Sequence, residues 1–327
     1  MKKILIYSGQ DQIGDAIIKL PFLYYLRKEF PSDKIIWMTQ LGTVYKKELS
    51  IFINDYIDEF YDNTNLNLAP WKKISYNYNL KSDNFDLIID TQKSVRRTLA
   101  LNRISSKCFI SSSANFLFSS IKPKLIKKNN QYYLNDLLEL LSLYSGNTIK
   151  NKFKLEVPDK IKKSLSKFFS IKNKYFGIAP GAGQDNKIWH IENYIKLAKH
   201  FQNEGYKIVI FLGPLEKLMK EKFNSELTNV IYPEDLLKEF NSPQVVMAST
   251  NFLKCAVSND SGTSHMLSTN LCPLIKLFGP KNSIKFTPDY LNKIMNIKAN
   301  QFGDNNINNI PVDYVIAQSE KIINLNN

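Results

Sequence analysis

Apolar residues fall in short runs separated by polar turns, a pattern of buried strands alternating with amphipathic helices. Residues 3–8 read as a first buried strand, with a turn at 9–14. Ile13, Ile17, Leu20 and Tyr24 then recur at helical spacing, and Pro21 predicts a kink or break among them. Further strands are expected at 34–39, 57–61, 85–90 and 108–110, with helical segments between several of them. Residues 150–174 carry nine lysines against Glu156 and Asp159, and the extended dipeptide Val157-Pro158 lies within this stretch. A domain boundary is placed there, although 161–169 has the pattern of an amphipathic helix.

The alternation then restarts. A strand at 175–179 leads into a glycine-rich loop at 180–186 and a helix at 191–204 that Gly205 ends. A strand at 207–212, a turn at Gly213-Pro214 and a helix at 215–223 follow. The last units are a strand at 256–258, a loop at 259–262, a helix from Thr263 and a strand at 273–278. Repeated βα units imply parallel sheets covered by helices. The expected fold is therefore α/β, with two doubly wound Rossmann-like domains at 1–160 and 172–327. Such domains facing one another would form a cleft at their strand C-termini, where ligands of these sheets bind.

Composition agrees with this picture. The chain has 327 residues, 43% of them hydrophobic, enough for two ordinary cores. The apolar runs are strand-sized, well short of the ~20 residues of a membrane helix. Met1-Lys2-Lys3 and the run after it resemble a signal peptide only until Ser8-Gly9-Gln10-Asp11, where no small-residue cleavage site appears. The three cysteines, Cys108, Cys255 and Cys272, lack metal or redox spacing and read as buried thiols of a reducing cytosol. His190, His200 and His265 show no paired spacing, so no metal site is expected from them. A formal charge of +14, from 44 Lys and Arg against 30 Asp and Glu, favours anionic surroundings or phosphorylated ligands. It equally fits a chain that is lysine-rich throughout.

Five stretches carry candidate chemistry. Gly14-Asp15 stands at the first strand–helix junction, where Asp15 is either an N-terminal helix cap or a base for an attacking hydroxyl. In the run from Pro180 to Trp189, Gly181 and Gly183 permit close approach to an anion, and Lys187 adds charge; a plain flexible connector is the alternative. Ser258-Asn259-Asp260-Ser261-Gly262-Thr263-Ser264-His265 opens a helix directly after a strand, so free amides point outward; His265 alone reads as a packing histidine. Asp90 to Arg97 is another strand end, where Arg96 and Arg97 suit a phosphate or carboxylate, or simply a solvated basic face. Finally, Phe116-Leu117-Phe118 with Ile121, Lys122, Lys124, Lys127 and Lys128 suits an anionic membrane face, or a helix edge beside a lysine-rich loop.

Together these stretches resemble glycosyltransferase family 9, the ADP-heptose–lipopolysaccharide heptosyltransferases. The resemblance rests on Ile13-Gly14-Asp15 through Pro31, and on the segment from Phe85 to Arg96. It continues in Ala179-Pro180-Gly181-Ala182 with Lys187-Ile188-Trp189, in Gly213-Pro214-Leu215-Glu216, and in Asn259 to His265 through Pro280. The boxes stand in family order. Departures are Lys93 where glycine is common, Lys281-Asn282 in place of Thr-Asp, and no alanine-rich helix at 266–270.

The resemblance implies a GT-B fold, an N-terminal acceptor domain and a C-terminal nucleotide-sugar domain. It makes Asp15 the catalytic base, with Gly14 and Arg96 on the acceptor side. Lys187 would meet the donor phosphate, Glu216 the ribose, and Asp260 the sugar hydroxyls. The amides of Gly262, Thr263 and Ser264 would take the diphosphate, with Gly181, Ala182 and His265 in the same donor site. The implied reaction is inverting transfer, with heptose from ADP-heptose as donor sugar and lipopolysaccharide core or a related glycan as acceptor. No cofactor is expected. No Asp-x-Asp occurs in the chain, so metal-independent transfer is expected. The implied location is cytoplasmic, peripheral to the inner face of the membrane. A non-catalytic basic binding protein, or another GT-B enzyme such as a nucleotide-sugar epimerase, is the alternative; no nucleic-acid module is legible.

Overall fold

The computed structural model describes residues 1–53, 55–64, 66, 68, 84–125, 132–213, 216–270, 272–287 and 293–326. The chain divides into two compact units, Met1–Phe153 and Lys154–Asn327. The division lies within the lysine-rich 150–174 stretch, a few residues before the expected end of the first domain at 160.

The first unit contains β1 (Lys3–Asp11), α1 (Ile13–Glu29), β2 (Lys34–Thr43), β3 (Glu59–Tyr61), β4 (Leu87–Asp90), α2 (Val95–Leu101), β5 (Phe109–Ser111) and α3 (Tyr133–Ser145). Its strands form a parallel sheet in the order β3-β2-β1-β4-β5. Ile4 pairs with Ile35 on one side and Leu87 on the other, and all three are fully buried. Central parallel strands are covered on both faces, which is why they read as unbroken apolar runs. Two expectations change here. Residues 9–11 continue β1 rather than turning, with the register shifting around Gly9. And α1 runs through Pro21 without the break that is one of the two outcomes expected there; the proline removes one backbone donor, while Leu20, Phe22, Leu23 and Leu26 beside it are buried and hold the helix.

The second unit continues with α4 (Asp159–Leu165), β6 (Lys174–Ala179), α5 (Ile191–Asn203), β7 (Tyr206–Ile210), α6 (Lys217–Glu226) and α7 (Pro233–Leu236). It is completed by α8 (Ser242–Ser249), β8 (Leu253–Asn259), α9 (Gly262–Leu267), β9 (Leu274–Phe278), α10 (Ser283–Phe286), β10 (Ile294–Lys298) and α11 (Val312–Asn324). Its parallel sheet has the order β10-β9-β8-β6-β7. Phe176, Ile178, Val257, Ile275 and Leu277 point to one face and pack with Leu197, Phe201, Val315 and Ile322 of α5 and α11. Each such fully buried side chain contributes about 1.5–3 kcal/mol. Strand β10 was not expected; it lies at the sheet edge and most of its side chains are only partly covered, so its sequence lacks an apolar run.

In both sheets the turns that carry the candidate residues leave the carboxyl ends of strands. Asp15 follows β1, Arg96 follows β4, Gly181 follows β6 and Asp260 follows β8.

Candidate functional site

In the first unit a single residue, Gln12, separates β1 from α1 and caps the helix without a side-chain bond. Asp15 is thus not the cap. It sits inside the first helical turn with its side chain exposed, near the positive end of the helix dipole, while Gly14 is buried. Beneath it lies a polar network that composition gave no sign of. Both Asp11 oxygens are saturated: Oδ1 accepts from Ser8 Oγ and from Lys19 Nζ at 2.9 Å, and Oδ2 from Trp37 Nε1 at 2.7 Å and Thr43 Oγ1 at 2.9 Å. Burial pushes the Asp11 carboxyl up, but the Lys19 charge and these bonds outweigh it and leave it below the usual range. Lys19 stands one helical turn beyond Asp15 and is likewise buried.

At the end of β4, Asp90 accepts from the Gln92 amide at 2.9 Å, Thr98 Oγ1 at 2.7 Å and Ser111 Oγ at 2.9 Å. Burial nevertheless pushes its carboxyl up to about 6. Gly9, at φ +75°, leaves room for Gln92 and Arg97, whose nearest atoms would lie 3.1 and 3.3 Å from a β-carbon placed there. The arginine that packs back on the strand end is therefore Arg97, while Arg96 is exposed on α2. Of the apolar–basic segment, Phe116 is buried and Phe118 packs on the core, so the exposed apolar groups are Leu117 (62%) and Leu125 (77%). Lys127 and Lys128 lie outside the described residues. Cys255 and Cys272 are buried, as composition suggested, but Cys108 is only half-buried.

In the second unit three turns are tied together by Asn259. Its side-chain oxygen accepts from the Trp189 amide at 3.3 Å and from Tyr194 Oη at 2.8 Å, and its amide donates to the Pro180 carbonyl. This fixes the loop after β6 against the turn after β8. Lys187 Nζ then reaches Asp260 Oδ2 at 3.0 Å. Ser261 caps α9 by accepting from the Ser264 amide at 3.4 Å, so that donor is partly engaged inside the helix start. The amides of Gly262 and Thr263 precede any helical partner, as first-turn donors do.

Glu216 folds back against the same loop. A β-carbon on Gly181 would lie 2.3 Å from Glu216 Oε1, and one on Gly213 2.5 Å from Oε2. Its Oε2 is buried and takes no hydrogen bond among the described residues. Pro214 and Leu215 of this box lie outside the described residues. Ala182, like Gly181, is half-buried. His265 is buried, and that burial, with Lys276 and Lys187 nearby, holds its imidazole well below the usual range and hence neutral. Sequence reasoning passed over Asn259 and Lys276. Lys276 is fully buried on β9 and donates to the Phe286 carbonyl at 3.0 Å.

Glu216, Lys187, Asp260 and the α9 start thus offer hydroxyl acceptors, a cation and backbone donors within one unit, a combination suited to a phosphorylated polyhydroxyl ligand. Among the described residues no three His, Cys, Asp or Glu side chains cluster as metal ligands.

Over the whole chain the fold is shared with known proteins. The glycosyl transferase family 9 structure from Veillonella parvula superposes with a TM-score of 0.73 at 20% identity, covering 99% of this chain and 98% of that one. The E. coli heptosyltransferase WaaC, solved with ADP-2-deoxy-2-fluoro heptose, gives 0.67 at 18% identity over 98% and 99%. These likenesses fix the fold as GT-B, with two Rossmann-like units. In sequence, the chain is 20% identical to the lipopolysaccharide core heptosyltransferase OpsX of Haemophilus influenzae, over 84% of this chain and 79% of that protein. The family model for glycosyltransferase family 9 (heptosyltransferase) matches residues 74–308. With that match covering well over half its length, the chain belongs to glycosyltransferase family 9, a family of glycosyl-transferring enzymes.

Proposed function

We propose that this enzyme transfers heptose from ADP-heptose to a hydroxyl of a lipopolysaccharide core, with inversion and without a metal ion. The carrying observation is the buried Glu216 Oε2, which takes no hydrogen bond among the described residues and is set against Gly181 and Gly213, in the unit that also holds the Lys187–Asp260 pair. A carboxylate oxygen left without a donor is costly unless a ligand hydroxyl supplies one, and a ribose does so. The names of relatives support the choice of sugar and acceptor: one acts on lipopolysaccharide core, and one was solved with an ADP-heptose analogue.

In the proposed reaction the Asp15 carboxylate takes the proton of the acceptor hydroxyl. The hydroxyl oxygen bonds to the anomeric carbon as the bond from that carbon to the diphosphate oxygen breaks, and the departing ADP keeps the electron pair. Lys187 and the amides of Gly262 and Thr263 stabilise the charge that develops on the diphosphate. Ser264, its amide shared with the Ser261 cap, serves as a weaker donor. Asp260, held by Lys187 in the free enzyme, is freed to accept sugar hydroxyls once the lysine turns to phosphate. Gly181 and Ala182 admit the nucleotide to the loop, and His265 packs the α9 start as a neutral ring. Gly14 keeps the acceptor-side turn compact, and Arg96 meets a charged group of the acceptor. Domain roles follow: acceptor on the first unit, donor on the second.

Calorimetric titration with ADP tests the donor site. Lys187→Ala and Glu216→Gln should each weaken ADP binding by about tenfold, the scale of one lost charge-assisted hydrogen bond. Affinities equal to the parent's would remove both residues from the site.

A cytoplasmic site of action, peripheral to the inner membrane face, is part of the same proposal. No helix among the described residues is long and apolar enough to cross a membrane. Leu117 and Leu125 are exposed around Lys122 and Lys124, a mixture that suits an anionic surface. Vesicles containing anionic lipid should carry the parent protein on flotation and release the Leu117→Glu/Leu125→Glu variant. Equal recovery of both would refute this surface.

A further inference from the structure

Lys276 has no role in the mechanism above, yet it is one of the most enclosed charges in the protein. It sits in the middle of β9, opposite Ser258 of β8, with no exposed surface. The next residue, Leu277, accepts the Asp260 amide through its carbonyl at 3.1 Å. The lysine therefore leaves the strand directly under the turn that carries Asp260 and opens α9. Its ammonium donates to the Phe286 carbonyl at 3.0 Å and lies 5.4 Å from the Phe278 ring centre, and both partners are uncharged. The Phe286 ring in turn faces His265 with centroids 6.5 Å apart.

An ammonium enclosed in a sheet whose hydrogen bond goes to a neutral carbonyl is expensive. If tying down Phe286 were its whole task, a neutral donor would do it at lower cost. The local charges are also unequal. Around Asp260 two lysine charges, Lys187 and Lys276, are felt, and the His265 ring that both also reach is neutral. Burial lowers Lys276 to about 8, with Asp260 pulling it up and Lys187 pushing it down, so it remains an ammonium at neutral pH.

We infer that Lys276 supplies, from beneath the sheet surface, a second positive charge to the diphosphate-binding turn at 260–264. This inference rests on the nucleotide-sugar reading of the same site. Lys276 acts through the field it sets at the turn, in a low-dielectric interior where a charge is felt over several ångströms. The anion it favours is the diphosphate, most of all as the sugar departs and negative charge collects there.

The test compares Lys276→Met with the parent in titrations of ADP, adenosine and inorganic pyrophosphate. Methionine keeps the volume and removes the charge, and such replacements of buried charges are commonly neutral or stabilising. ADP and pyrophosphate should bind about tenfold more weakly to the variant, as expected for one enclosed charge lost from an anion site, while adenosine affinity stays unchanged. Unchanged ADP and pyrophosphate affinity would overturn the inference. So would an equal loss for adenosine, which would show a structural role. If the parent bound pyrophosphate but neither ADP nor adenosine, the nucleotide reading would fall, and the pyrophosphate comparison would still decide the role of Lys276. A parent that bound none of the three would end both.

Discussion

The Lys19 ammonium lies 2.9 Å from Asp11 Oδ1, with both side chains buried under the turn that carries Asp15. Lys19 also donates to Ser8 Oγ at 2.6 Å, so the pair is knitted into the last residues of β1. Removing one member leaves the other charged and enclosed. Lys19→Met or Asp11→Ala alone should therefore cost about 3–5 kcal/mol, whereas the double replacement should cost clearly less than the sum. Chemical denaturation of the three variants measures this, and additive losses would mean that the two groups do not interact.

The same pair sets a pH dependence. Asp11 is held below its unfolded value, so its contribution is present above the unfolded pKa of about 4 and is lost as pH falls through the lower folded value. Lys19 is desolvated, but Asp11 more than compensates and holds it above its unfolded value. Its contribution is full below about 10.4 and fades only as pH rises through the higher folded value. Between these limits the pair should be insensitive to pH.

Gly181 makes a sharper prediction about the donor loop. A methyl group there would fall 2.3 Å from Glu216 Oε1, closer than real side chains approach. Gly181→Ala must displace the Glu216 carboxylate, and Gly213 hems it from the other side. ADP and adenosine should both bind about tenfold more weakly, since the ribose contact is shared, and pyrophosphate should be little affected. A thermal melt like the parent's would show that the fold survives. Full adenosine affinity would place the ribose elsewhere.

The residues differ in how far the chain discloses them. The parallel strands are legible because burial on both faces demands runs such as Ile4-Leu5-Ile6-Tyr7 and Ile208-Val209-Ile210. The turns at 180–187 and 259–264 are legible because glycines and small polar residues follow those runs directly. Asp11 and Lys276 are not. Charge ordinarily signals surface, and their burial is decided by partners at Trp37, Thr43 and Phe286 that no local pattern connects. Asn259 hides for the same reason, its partners standing 65 to 79 residues away. Arg97 and Arg96 look equivalent in sequence; only the left-handed backbone at Gly9 and the helix face of α2 separate them.

Asp15 is the residue on which transfer itself depends in the proposed mechanism. Its side chain is exposed and lies inside the first turn of α1, so Asp15→Asn changes neither packing nor a cap. The amide keeps the shape and loses the capacity to accept a proton. Turnover, followed as ADP release from ADP-heptose in the presence of a heptose-deficient lipopolysaccharide core, should fall by about 10²–10⁴-fold. ADP affinity, which depends on groups of the second unit, should be unchanged. A variant that lost affinity and turnover together would point to a donor-binding role for Asp15. One that turned over at the parent rate would move the base to another residue, with Asp90, whose carboxyl is raised to about 6 at the neighbouring strand end, the first to examine.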